Sequence, residues 1–161
     1  MSQQVSNTDR YPATPSQLME MMQNPEYLAE KYAALGDRQT DVVEQTADGG
    51  GLRIKVERVA TSPDALKKFG ETSKMVQTEN WRPDGDGYAA DLKIESQGVA
   101  INGTMKIAAA GDAESDWTAN LDIKSSIPLL GGKIEKAVAA ASKDNMAVEY
   151  QFNKEWLASH S

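Results

Sequence analysis

Between Ile127 and Ile134 the hydrophobic period of this chain changes from two to nearly four, and the new period holds almost to the C-terminal end. Upstream, Trp117, Ala119, Leu121, Ile123, Ser125 and Ile127 alternate with polar residues, the mark of a strand with one buried face. Downstream, Ile134, Val138, Ala141, Val148, Phe152 and Trp156 recur in steps of three and four, with Asn145 filling the gap. That spacing predicts one helix from Gly131 to about Leu157. At about 1.5 Å per residue it spans roughly 40 Å, enough to cross a whole sheet diagonally.

The strands that such a helix would cover are legible upstream. Leu52, Ile54 and Val56 alternate with Arg53, Lys55 and Glu57. A strand over 74–82 ends in Trp81, and Asp84-Gly85-Asp86-Gly87 makes a hairpin turn. Tyr88, Ala90, Leu92, Ile94 and Ser96 then share one face. After Gln97-Gly98, so do Val99, Ile101, Gly103, Met105, Ile107 and Ala109. A glycine inside a strand, as at Gly103, predicts a bulge or bend. Residues 39–47 read as one more strand around Val42-Val43, and Ser62-Pro63-Asp64 opens a short helix through Phe69.

The N-terminal part adds a first strand over 1–13, which Pro12 closes, and two short helices. Thr14-Pro15-Ser16-Gln17 predicts a capped helix to about Gln23 with Leu18, Met21 and Met22 on one face. Asn24-Pro25 predicts a second, capped by Asn24, carrying Tyr27, Leu28, Tyr32 and Leu35 and stopped by Gly36. An amphipathic sheet must cover its apolar face, and only the C-terminal helix is long enough to do so. The expected architecture is α+β, one domain over 1–161.

Composition narrows the function. The formal net charge is -7 and no Lys/Arg cluster stands out, which argues against nucleic acid and anionic membrane surfaces. There is no cysteine, and the single histidine is His160. Thiolate chemistry, Cys or His metal sites and a Ser-His pair inside the fold are thereby excluded, and no cofactor or metal is expected. Asp84-Gly85-Asp86 with Glu95 fails as a calcium loop, because the central glycine is Ala89. Gly131-Gly132 before a helix lacks phosphate-loop spacing and reads as a turn. The polar start shows no secretory signal and no stretch is long and apolar enough to span a membrane, so a cytoplasmic location is the default.

The predicted helix stripe is small in its middle, at Ala137, Ala139, Ala140 and Ala141, and large near its end, at Tyr150, Phe152 and Trp156. Small residues over a curved sheet leave room for a cavity, or let the helix sit close. Ser96, Ser125 and Asn145 fall on the inner face and need partners in protein, water or ligand. The expected cavity lining is Met22, Trp81, Leu92, Ile94, Ser96, Met105, Trp117, Leu121, Ile123, Ser125, Ala137, Val138, Ala141 and Asn145. Met19, Met21 and Met22 would form an adaptable mouth or simply core. Asp9 or Arg10 faces inward from the first strand, and Glu79, sharing a face with Trp81, is the best-placed carboxylate for acid–base work.

Several segments carry a resemblance. They are Tyr11-Pro12-Ala13, Asn24-Pro25-Glu26-Tyr27, Glu79-Asn80-Trp81-Arg82-Pro83 and, most specific, Ile127-Pro128-Leu129-Leu130-Gly131-Gly132-Lys133-Ile134-Glu135-Lys136. With this element order, the chain resembles the START-like helix-grip superfamily, which includes polyketide cyclases, plant allergens and lipid-transfer domains. It is most similar to its actinobacterial family known as domain of unknown function 2505. The resemblance implies a helix-grip fold: a curved antiparallel sheet of about six to seven strands wrapped on the long helix. It also implies a cavity for an apolar or amphipathic, lipid- or polyketide-like molecule. It supplies no catalytic residue. The alternatives are a cyclase or dehydratase using an inward Glu79 or Asp9, and a protein-interaction module.

Overall fold

The structure, a computed structural model, describes residues 2–160. Met1, within the first strand expected over 1–13, lies outside the described residues. Seven antiparallel strands form one curved open sheet: β1 (Gln3–Tyr11), β2 (Gln39–Asp48), β3 (Gly51–Thr61), β4 (Thr72–Asp84), β5 (Gly87–Ser96), β6 (Val99–Ala109) and β7 (Ser115–Ser125). Helices α1 (Pro15–Gln23) and α2 (Tyr27–Ala34) follow β1, a 3₁₀ turn occupies Asp64–Phe69, and α3 (Gly131–Ser159) ends the chain. The strand order β1-β7-β6-β5-β4-β3-β2 puts the first two strands on opposite edges. The segment holding α1 and α2 carries the chain from one edge to the other.

Local chemistry explains the elements. Thr14 and Gln17 form the reciprocal capping box at the start of α1. Asn24 instead folds back on the Glu26 N–H, so α2 begins at Tyr27 rather than at Pro25. Gly36, at φ 94°, closes α2: its N–H donates to the Ala33 carbonyl and that of Asp37 to the Tyr32 carbonyl. This places the Asp37 side chain beside β3. Gly103 causes no bulge, for β6 keeps register with both neighbours. A Cβ there would lie 2.4 Å from the Asn120 carbonyl oxygen, so glycine permits close approach of β7. The register shift falls in edge strand β2, between Val42 and Glu44.

One face of the sheet is covered from β1 to β3, while edge strand β2 buries no residue. A typical cross-strand row on it runs Leu121, Gly103, Leu92, Glu79, Ile54. Helix α3 lies closest to β1 and β7 and also meets α2 and the 3₁₀ turn. Its inner line is Ile134, Glu135, Ala139, Ser142, Met146, Glu149, Asn153 and Trp156: Ile134 and Trp156 keep to the expected stripe, and the line between them runs one residue on from it. One residue is about 100° of helix rotation. Val148, expected to anchor the helix, is 43% exposed. The expected stripe follows apolar side chains, whereas the helix buries several polar ones that have partners. Asn153 Oδ1 accepts from the Tyr27 hydroxyl at 2.6 Å, and its Nδ2 donates to the Tyr11 hydroxyl at 3.1 Å. Glu135 Oε2 accepts from the Ser125 N–H at 2.9 Å, while its Oε1 is buried without a partner among the described residues. Among the described residues no helix is long and apolar enough to cross a membrane.

Candidate binding cavity

Between the middle of α3 and the sheet lies a partly open cavity of about 130 Å³. Its floor is apolar where β5, β6 and β7 pass, at Leu92, Ile94, Met105, Trp117, Ala119 and Leu121. Arg58, Gln77 and Glu79 of β3 and β4 make a polar wall, and Tyr32 and Leu35 close it from α2 and the residue after it. Ser142, Asn145, Met146 and Glu149 of α3 roof it, and Asn7 and Asp9 of β1 complete the rim.

Six of the expected lining residues meet there: Leu92, Ile94, Met105, Trp117, Leu121 and Asn145. The others lie elsewhere, for identifiable reasons. Met22 is packed into the core with Met19 and Met21, so the α1 methionines form no mouth. Trp81 stands edge-on to Trp117 at 5.5 Å and turns its indole N–H to Glu79. Ile123 is fully buried with Val5 and Ala139 in the core cluster that continues from Leu92 and Leu121, and Val138 packs on the same cluster. Ser96 donates to the Lys74 carbonyl, and Ser125 Oγ accepts from the Ile127 N–H, so neither faces the cavity. Ala137 lines a different groove, against Leu66 and Phe69 of the 3₁₀ turn. Ala141, half-buried, lies off the cavity wall because of the helix rotation. Of the β1 pair, Asp9 faces in, while Arg10 faces solvent in a two-bond contact with Asp116 at 2.9 Å.

The polar wall is a relay of buried side chains. Arg58 donates through Nε and Nη2 to Asp37 at 2.8 and 2.9 Å, and through Nη1 to Gln77 at 2.9 Å. Gln77 Nε2 donates to Glu79 at 2.8 Å, and Trp81 Nε1 donates to the other Glu79 oxygen at 2.9 Å. Two cations lie against the Tyr32 ring: the Arg58 guanidinium is 4.2 Å and Lys31 Nζ 4.7 Å from its centre. Lys31 in turn donates to Glu149 at 3.2 Å. The Tyr32 hydroxyl is buried without a partner among the described residues. Sequence parity does signal this wall: Arg58 continues the inward series Leu52, Ile54, Val56, and Gln77 precedes Glu79 and Trp81 on the same side. Tyr32 is legible only as part of the apolar series of α2, and Ser142 and Glu149 carry no signal.

Burial sets the protonation of the site. It pushes the Tyr32 phenol from its ordinary 10.0 up to about 12 and holds Tyr11 and Tyr27 above the usual range. Burial is the largest single influence on Lys31 and works against its charge, but Glu149, Tyr27, Tyr32 and Glu79 together outweigh it and raise that group too. Burial also raises the Asp9 carboxyl. Raised tyrosine and lysine values stabilise the fold fully below their unfolded pKa values, near 10, and that contribution is lost as pH climbs through the folded ones. Stability should therefore hold to about pH 10 and fall steeply toward pH 12, with on the order of 2 kcal/mol lost from Tyr32 alone. Circular dichroism across an alkaline titration checks this; an unchanged melting temperature at pH 11.5 would contradict it.

A curved antiparallel sheet gripping a long C-terminal helix, with a cavity between them, is the helix-grip architecture of START-like proteins. The chain belongs to the family described as "Protein of unknown function (DUF2505)", whose model matches residues 6–157. Solved structures share the fold. The protein TTHA0849 from Thermus thermophilus is 18% identical with a TM-score of 0.72, over 99% of this chain and 100% of that one. The Zhui aromatase/cyclase from a Streptomyces species is 10% identical with a TM-score of 0.74, over 98% and 94%. A START superfamily protein from Mycobacterium smegmatis is 15% identical with a TM-score of 0.61, over 96% and 98%. No curated protein matches the sequence.

Proposed function

We propose that this chain binds a small amphipathic molecule, built on one apolar ring, in the cavity beneath α3. The observation that carries the reading is the Tyr32 hydroxyl, buried on the cavity wall with no partner among the described residues. A buried polar group without a partner costs about 1–3 kcal/mol, so a ligand that supplies one gains by binding there. The apolar floor at Leu92, Met105, Trp117 and Leu121 supplies the complementary surface.

Size sharpens the ligand class. About 130 Å³ is close to the roughly 150 Å³ cavity that holds one benzene ring. Pockets for drug-sized ligands run to about 300–1,000 Å³, so the enclosed part of this space takes one ring rather than a whole lipid or polyketide chain. A fold neighbour named as an aromatase/cyclase supports an aromatic body for the ligand. The test is a titration with benzyl alcohol, followed by Trp117 fluorescence and Met105 methyl resonances. Saturable shifts at both are expected. Ala119→Leu, which fills the floor, should weaken binding by about tenfold or more, since the added methylenes occupy the ligand's volume. No saturable change in the unsubstituted chain would overturn the proposal.

A further inference from the structure

The charges around the cavity do not balance. Four carboxylates face it or stand directly behind its wall: Asp9, Asp37, Glu79 and Glu149. Three cations accompany them, and each has a place. Arg58 is held by Asp37 in a two-bond contact. Lys31 pairs with Glu149. Lys154, over the Tyr150 ring at 4.1 Å, acts on Asp9 at the rim. Glu79 is left without an ion pair among the described residues, although it is 3% exposed. Lys31 acts on it only through space. Its two hydrogen bonds come from neutral donors, the Gln77 amide and the Trp81 indole. A carboxylate surrounded by donors alone is an acceptor, and each oxygen retains a lone pair.

Buried carboxylates are ordinarily matched by a cation, because desolvating the charge alone is costly. At Glu79 the protein supplies none. The same cavity carries the unpartnered Tyr32 hydroxyl, 1% exposed, whose oxygen also accepts. One carboxylate without a counter-ion and one hydroxyl without a partner thus look onto a space of about 130 Å³ floored by Trp117 and aliphatic side chains. Aromatic faces add to the attraction for a cation.

From this juxtaposition we infer that the cavity selects a small primary amine on a single apolar ring, its ammonium facing Glu79 and the Tyr32 hydroxyl. The inference rests on the proposed cavity binding and adds the charge of the ligand. Neutral ligands of the same shape forgo the ion pair, and anionic ones meet Glu79 with like charge.

Three ligands of one shape test it: benzylamine, benzyl alcohol and benzoate, titrated into the full chain by calorimetry and Trp117 fluorescence. Benzylamine should bind at least about tenfold more tightly than benzyl alcohol, as a buried charge-assisted hydrogen bond allows, and benzoate most weakly. Raising the salt concentration should leave most of this preference, because the pair is buried. Glu79→Gln should bring benzylamine down to the level of benzyl alcohol, removing the preference between the two. Equal or tighter binding of the alcohol or of benzoate by the unsubstituted chain would overturn the amine assignment and leave cavity binding standing. So would a Glu79→Gln chain that keeps the preference. Binding of none of the three would overturn both. The ranking by the unsubstituted chain decides the matter even where Glu79→Gln does not fold.

Discussion

Asp37→Ala should destabilise the fold by about 3–5 kcal/mol, a large share of the roughly 5–15 kcal/mol typical of a domain. The Asp37 side chain is 0% exposed and holds the Arg58 guanidinium through two bonds of 2.8 and 2.9 Å. Without it Arg58 keeps its stacking on Tyr32 and its bond to Gln77, but the charge loses its counter-ion in a buried position. The cost comes from that stranded charge rather than from the pair's net attraction. A second variant separates the two. Asp37→Leu with Arg58→Met removes both charges, and replacing a buried pair by packed apolar groups is often neutral or better. The double variant should therefore recover most of the loss in urea unfolding. Failure to recover would mean that the Arg58–Gln77–Glu79 relay, not the ion pair, sustains this end of the sheet. The relay also orients Glu79, so even a stable double variant should bind ligand differently from the unsubstituted chain.

How much of this is legible in the sequence follows from which signal each element uses. Strand faces depend on parity alone, and parity does not care whether a residue is polar. It puts Leu92, Met105, Trp117 and Leu121 on the cavity side and Glu79 with Trp81 on one face, but on the first strand it leaves open which of Asp9 and Arg10 faces in. Arg58 and Gln77 stand at the right parity too, but their charge and polarity argue for solvent. The helix is harder. Its face is read from hydrophobicity, and α3 buries Glu135, Asn153 and much of Glu149, each with a partner outside the helix. Those partners are Ser125, Tyr27 with Tyr11, and Lys31. A buried polar residue is recognised from its partner, and a partner more than a hundred residues away in the chain, as for Asn153 and Glu149, leaves no local trace. The cavity's size depends on the same rotation, for it turns Ser142, Met146 and Glu149 toward the space the alanines were expected to roof.

The helix face can be checked directly by comparing two aliphatic or aromatic positions that the hydrophobic pattern treats alike. Trp156 and Val148 both belong to the expected stripe, yet Trp156 is 6% exposed and Val148 is 43% exposed. Trp156 meets the Tyr27 ring edge-on at 5.6 Å, Phe152 at 6.1 Å, and the His160 ring, stacked at 3.8 Å. Its truncation to alanine removes a large buried surface and leaves a cavity that neighbouring rings cannot fill, at a cost of about 3–5 kcal/mol. Val148→Ala removes two methyl groups that solvent already reaches, and should stay within about 0.5 kcal/mol of the unsubstituted chain. Urea unfolding of the two variants gives the comparison. Comparable costs would place Val148 in the core and return α3 to the face its hydrophobic pattern suggests. The same experiment separates anchor from roof. Trp156 lies at the end of α3 away from the cavity roof at Ser142 to Glu149. Hydrogen exchange in Trp156→Ala should therefore rise first over the last two turns of α3 and spread toward the roof only as the helix detaches. The other end of α3 has no side-chain cap at Leu130, and meets the rest of the fold through the buried Ile134 and the Glu135 bond to the Ser125 N–H.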